Sequence, residues 1–330
     1  MSELRNVREL LERTHAVLGN SLLEVDRRFD SELASSNPYI ADILEHTRRF
    51  RGKRLRPMLC LLVAKALGGI QEEHLILATV VEMIHTATLV HDDVLDEADV
   101  RRHVATVNVR WNNQTSVLYG DFLFTHAFHL AASTNSAHAC RLIGRATNRV
   151  CEGELLQTRN RGNLVLSEEE YYSIINGKTA ELCAVSCELG AIYAGADETT
   201  IKAMESYGRS LGMAFQIADD VLDLVGMEDT IGKTLGTDLA QQKLTLPVIR
   251  LIQGTSGADR DRLTHTLETL TPEGQRTVLQ QLRDQGFLEE SLATARRFAE
   301  EARSQLAKLP ESGAKDLLMQ LPDLSIERSC

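Results

Sequence analysis

Two clusters of aspartate carry the clearest chemical signal in this sequence, His91-Asp92-Asp93-Val94-Leu95-Asp96 and Asp219-Asp220-Val221-Leu222-Asp223. Residues four apart on a helix share one face. Asp92 therefore projects with Asp96, and Asp219 with Asp223, and each pair has a third carboxylate (Asp93, Asp220) beside it. Like charges at this spacing repel unless cations are bound. Oxygen donors without a Cys/His set favour Mg2+, which needs only one or two carboxylates when substrate phosphates supply other ligands. A solvated helix face is the ordinary explanation of one such cluster. It does not explain two clusters that each follow a strongly apolar stretch, Thr86 to Val90 and Leu211 to Ala218.

Basic groups stand in matching places. Lys53, Arg54 and Arg56 surround Gly52 where a helix begins, a composition suited to capturing phosphate. Arg101 and Arg102 follow the first aspartate cluster, and Lys178-Thr179, Lys233 and Lys243 lie around the second. A basic cluster alone is usually a solvated face. Cations bracketing two acidic metal sites read better as a diphosphate pocket.

The elements that must position these groups are helical. Apolar residues recur at three- and four-residue spacing over Leu4 to Leu18, Ala41 to Phe50, Leu55 to Leu67, Glu73 to Glu97, Thr115 to Ala132, Ala137 to Gln157, Glu168 to Tyr193 and Thr200 to Leu224, and again after Leu239. Ser167 to Glu170 has the capping-box form, and Thr271-Pro272 puts proline at a first helical position. Alternating strand patterns are nearly absent. The expected architecture is all-α, with residues 1–330 in a single large domain, since no Gly/Ser- or Pro-rich linker divides the chain.

Composition narrows the partners. The 36 Lys plus Arg against 47 Asp plus Glu give a formal net charge of -11, which argues against nucleic acid but leaves room for a local anion site. The apolar run from Leu75 to Val90 contains Glu82 and His85, which suits a buried helix better than a membrane span. The N-terminus lacks the apolar core of a signal peptide, and the six cysteines lack zinc-site spacing. A reducing, cytoplasmic location is the expectation.

Taken together, GKRLRP (Gly52 to Pro57), IHTATLVHDDVLDEADVRR (Ile84 to Arg102), GDFL (Gly120 to Leu123), GEL (Gly153 to Leu155), KTAEL (Lys178 to Leu182), FQIADDVLD (Phe215 to Asp223) and GKTLGTDL followed by KLTLP resemble the trans-isoprenyl diphosphate synthases, in that family's order. The resemblance implies an all-helical fold around a deep central cavity, in a homodimer. It implies that Asp92, Asp96 and Asp219 hold Mg2+ on an allylic diphosphate, with Asp93, Asp220 and Asp223 in support. Lys53, Arg56, His85 and Arg102 would hold isopentenyl diphosphate. Arg101, Lys178, Lys233 and Lys243 would contact the allylic diphosphate, and Thr179 and Gln216 would turn oxygens toward the forming carbocation. A transient membrane contact for product release belongs to the same expectation. Two positions depart from the family pattern: His103 stands where glycine commonly follows the two arginines, and Arg51 precedes Gly52-Lys53 in place of a glycine.

Ala87 and Thr88, one helical turn before Asp92, are small where short-chain members carry bulky aromatics, so the chain resembles the long-chain, octaprenyl-like branch. Phe124 and Phe128 are candidates for a cavity floor, with Ile84 and Val81 along the wall. Three other readings remain open at this point: a shorter-chain synthase, a terpene cyclase, and a non-catalytic partner subunit. The second DDxxD and Gly52 to Pro57 count against the cyclase. The intact aspartates count against the subunit.

Overall fold

From Ala41 to Leu224 helices form where the apolar spacing calls for them, with ends within a few residues of the expected ones; the expected start at Leu4 lies outside the described residues, and Ser21–Glu32 and Val107–Arg110 are helices beyond those expected. A computed structural model of the chain describes residues 12–50, 52, 54–225 and 236–327. In chain order the helices are α1 (Ser21–Glu32), α2 (Pro38–Thr47), α3 (Leu55–Ala66), α4 (Glu72–Leu95), α5 (Val107–Arg110), α6 (Asn113–Ala132), α7 (Ala137–Arg159) and α8 (Glu168–Ile175). They continue as α9 (Glu181–Tyr193), α10 (Glu198–Val225), α11 (Thr237–Ala240), α12 (Leu246–Gly254), α13 (Gly257–Glu268), α14 (Pro272–Asp284), α15 (Phe287–Gln305) and α16 (Gly313–Glu327). Among the described residues the strands are the two-residue β1 (Val100–Arg101) and β2 (Val104–Ala105), paired antiparallel.

The chain divides into two compact units. The first comprises residues 1–147, 182–208 and 306–319, and the second residues 148–181, 209–305 and 320–330.

In the first unit the core is built from α3 and α4. Leu59 to Ala64 of α3 and Leu77, Val80, Val81 and Met83 of α4 are completely buried. Both helices are apolar on most faces, as expected of helices inside a helical assembly rather than on its surface. Among the described residues α4 is the one helix with the length and hydropathy (1.3) of a membrane span, but 67% of that window is buried. Its start is held by His74, whose Nδ1 accepts from the Gln71 backbone N–H at 2.8 Å. That leaves Nε2 to donate to the Gly190 carbonyl at 3.1 Å, so one buried neutral ring ties α4 to α9.

In the second unit the core gathers Tyr171, Ile174 and Ile175 of α8, Met213 to Leu224 of α10, and the inner faces of α12, α14 and α15. The expected caps are present. The Ser167 side chain accepts from the Glu170 N–H while Glu170 reaches back to Ser167, and Thr271 accepts from the Gly274 N–H with Pro272 at the first helical position. Arg250 clamps Glu168 with two hydrogen bonds, of 2.9 and 3.0 Å, securing α12 against the start of α8. Between α8 and α9 the residues Asn176–Ala180 form a π-helical turn, which carries Lys178 and Thr179. Such insertions re-aim side chains and recur at functional sites.

Candidate functional site

Both aspartate clusters sit in the last turns of long helices, α4 and α10. The macrodipole places partial negative charge at that end. Three carboxylates there are unfavourable on their own and favour bound cations.

In the first unit the cluster is divided by burial. Asp93 is 1% exposed and is engaged by Arg101, whose Nε donates to both carboxylate oxygens at 2.9 and 3.1 Å. Asp92 and Asp96 are half-buried and share one face at i, i+4 spacing. The motif thus contains one structural carboxylate and a pair suited to a cation. Among the described residues no three His, Cys, Asp or Glu side chains form a ready-made metal cage. A two-carboxylate site completed by phosphate oxygens is the arrangement these donors fit.

Beyond Asp96 the chain turns through the β1–β2 hairpin, whose two central residues, Arg102 (φ 52°) and His103 (φ 64°), both have positive φ. A two-residue hairpin prefers this, and Gly or Asn usually supplies it. His103, standing where glycine is common in the family, adopts the left-handed conformation instead. The departure from the family pattern is absorbed as local strain, without loss of the turn. Arg102 as a whole is exposed, yet its Nη1 donates to the Phe50 carbonyl and its guanidinium lies against Gly52. A Cβ at position 52 would meet that guanidinium, which would have to shift.

Behind this turn lies a concentration of positive charge. The His85 pKa is held well below the usual imidazole value, first by burial and then by Arg56, Arg101, Arg102 and Arg54. His85 is therefore neutral at neutral pH. Burial and the neighbouring Arg101 likewise disfavour the charge on Arg102. Arg56 Nε is buried with no hydrogen-bond partner among the described residues. Arginine does not deprotonate at ordinary pH, so this charge calls for an anion. Lys53 and Lys233, expected beside it and beside the second cluster, lie outside the described residues, as does Arg51.

His91 is an interhelical contact. Its Nε2 lies 3.1 Å from the Val117 carbonyl and 3.5 Å from Asp121, and its ring packs on Phe124. Gly120 lies opposite, and a Cβ there would force the ring to shift. Phe124 thus lies beside the residue that precedes the aspartates, while Phe128 is exposed at 36%. Ile84, Val81 and Ala87 are buried, and Thr88 is half-buried.

The second unit repeats the division. Asp220 is 4% exposed, and its two oxygens accept from the Tyr171 hydroxyl at 2.6 Å and from Gln216 Nε2 at 2.7 Å. Burial and the neighbouring Asp238 push its pKa well up, while the two hydrogen bonds pull the other way. Gln216 is thereby oriented, and its Oε1 accepts from the Thr179 hydroxyl at 2.6 Å. With its proton committed, the Thr179 oxygen keeps lone pairs for an electron-poor neighbour. Asp219 and Asp223 are half-buried, and Asp223 also accepts from the Asp238 N–H at 3.1 Å. Lys178 pairs with Glu154 at 2.5 Å and donates to Gln157 at 2.9 Å. Lys243 is buried at 6% exposure. Tyr171, Asp238, Glu154 and Glu82 are site residues that the sequence pattern does not reveal. A lone tyrosine or glutamate on an apolar helix carries no spacing signal, although Asp238 lies inside the GTDL segment and Glu154 inside GEL.

The polyprenyl synthetase family model matches residues 37–284. The all-trans-nonaprenyl-diphosphate synthase (geranyl-diphosphate specific) of Rhodobacter capsulatus is 36% identical over 95% of this chain and 96% of its own. The octaprenyl diphosphate synthase of Haemophilus influenzae is 36% identical over 93% of each chain. Among solved structures, the polyprenyl synthase of Caulobacter crescentus, complexed with calcium and isoprenyl diphosphate, superposes with a TM-score of 0.91 at 35% identity, over 97% of this chain and 98% of that one. A family model over three quarters of its length and relatives above 30% identity over nearly all of it show that this chain, with its helices and its two aspartate clusters, belongs to the polyprenyl synthetase family.

Proposed function

We propose that this protein is a long-chain all-trans polyprenyl diphosphate synthase of the octaprenyl class, which condenses isopentenyl diphosphate repeatedly onto an allylic diphosphate with Mg2+. The observation that carries the reading is the half-buried, neutral His85 amid Arg54, Arg56, Arg101 and Arg102, a site for a phosphorylated substrate. Asp92 with Asp96, and Asp219 with Asp223, would hold the metal, which when bound neutralises charge on the departing diphosphate. Arg56, His85 and Arg102, with Lys53, would bind isopentenyl diphosphate. Arg101, Lys178 and Lys243, with Lys233, would contact the allylic diphosphate. Thr179, aimed through Gln216 and Asp220, presents oxygen lone pairs to the developing cation. A homodimer, a cytoplasmic location and transient membrane contact during product release belong to the same proposal.

The relatives of similar length support the long-chain assignment, as do the small side chains at Ala87 and Thr88. The test is incubation of the purified protein with isopentenyl diphosphate, an allylic primer and Mg2+, followed by chromatography of the dephosphorylated products. A main product near eight isoprene units is expected. Products that stop at three or four units would contradict the chain length, and no condensation at all would contradict the activity.

A further inference from the structure

Arg54 is a charged residue of the basic turn to which the family resemblance gives no role. Its backbone is left-handed, with φ 56° and ψ 37°, at the position preceding α3, where an extended Ser, Thr, Asp or Asn is usual. A side chain with a Cβ is held in that region only where its surroundings over-determine it. Here they do. Arg54 Nε donates to Asp26 Oδ1 of α1 at 2.9 Å, Nη1 donates to Glu82 Oε1 of α4 at 2.5 Å, and the guanidinium lies over the Phe29 ring at 5.6 Å. The side chain is 10% exposed and that of Glu82 is 6% exposed.

Glu82 lies one helical turn before His85. Its charge reaches Arg102, where it opposes the repulsion from Arg101 and Arg54. Without Arg54, Arg102 would remain as a cation within electrostatic reach of this buried carboxylate.

We propose that Arg54 is a positioning residue for isopentenyl diphosphate: by pairing with Glu82 and Asp26 it sets the left-handed turn that places Arg56 and keeps Glu82 from claiming Arg102. The proposal rests on the synthase reading above. It adds a residue that touches no substrate and acts through the charge balance around His85.

The test is steady-state kinetics with each substrate varied separately. Arg54→Gln should raise KM for isopentenyl diphosphate roughly tenfold while kcat and KM for the allylic primer stay within about twofold. Adding Glu82→Gln removes the stranded carboxylate and should bring KM for isopentenyl diphosphate back to within about threefold of the parent protein. Arg54→Lys, which keeps the charge but not the planar fork, should fall between the two. If Arg54→Gln does not fold, the double variant still decides. A KM for isopentenyl diphosphate raised tenfold there, or both KM values raised equally in any folded variant, would overturn the proposal. So would an unchanged KM for isopentenyl diphosphate in Arg54→Gln. A parent protein that condenses nothing refutes the synthase reading itself, and is thereby distinguished from an active parent whose Arg54 variants behave normally.

Discussion

The Tyr171 hydroxyl donates to Asp220 at 2.6 Å, and this bond, with that from Gln216, turns the central aspartate of the second cluster inward. Tyr171→Phe removes the donor while keeping the ring. The buried carboxylate then has Gln216 as its remaining partner among those described. A stability loss of about 1–2 kcal/mol is expected in thermal or urea unfolding. Because Gln216 orients Thr179 from the same carboxylate, kcat should also fall, with KM for isopentenyl diphosphate unchanged. Wild-type stability in Tyr171→Phe would show that the bond contributes nothing.

The two kinds of aspartate in the first cluster should separate experimentally. Asp93→Asn strands the Arg101 guanidinium, so a stability loss of about 3 kcal/mol is expected, toward the lower end for a broken buried pair because Arg101 stays partly hydrated. Asp92→Asn relieves like-charge repulsion at a helix C-terminus and should leave the apo protein as stable or slightly more so, while turnover is lost at saturating Mg2+. Unfolding curves measured beside turnover decide it. Equal destabilisation in both variants would contradict the division.

Acid should weaken the fold through His85. Its folded-state pKa lies well below that of the unfolded chain, so the unfolded state binds the proton first. The stability associated with the neutral ring is fully present above an unfolded-state pKa of about 6.5 and declines as pH falls below it. The contribution to the slope is at most one proton, ~1.4 kcal/mol per pH unit. His85→Gln should flatten the stability profile between about pH 6.5 and 5 relative to the parent. Inorganic diphosphate should restore protonation by supplying the counter-charge, visible as a downfield shift of the His85 ring resonances. An unaltered slope in His85→Gln would reject the assignment.

Product length tests the growing tail's route. Ala87 is completely buried and Thr88 half-buried on α4, so a phenyl ring at either place must displace packed neighbours. Ala87→Phe or Thr88→Phe should shorten the main product to the short-chain range while the first condensations continue. Phe128→Ala, at an exposed position, should leave the distribution unchanged. Chromatography of dephosphorylated products gives the comparison directly. Retained activity with unaltered length in both Phe variants would show that the tail runs elsewhere.

The sequence by itself determined the helical architecture and the family. Those depend on local spacing: carboxylates at i and i+4, apolar residues at three and four, and a capping box at Ser167 to Glu170 whose hydrogen bonds span three residues. Tertiary structure alone decided which member of each aspartate cluster is buried, because that depends on which other element folds against it. Arg101 on β1 folds back onto Asp93 from eight residues away, and Tyr171 reaches Asp220 from 49 residues away. The π-helical turn at Lys178 and Thr179 is invisible in the sequence for a related reason. An inserted residue leaves the apolar pattern from Glu168 to Tyr193 nearly intact while rotating the helix beyond it. Arg54 shows the same limit inside a legible motif. Its spacing places it beside Lys53 and Arg56 as another phosphate cation, and only the approach of Asp26 and Glu82 from two other helices commits its charge inward. Burial and charge pairing are properties of surfaces that meet in space, and a one-dimensional pattern records only the groups available to meet.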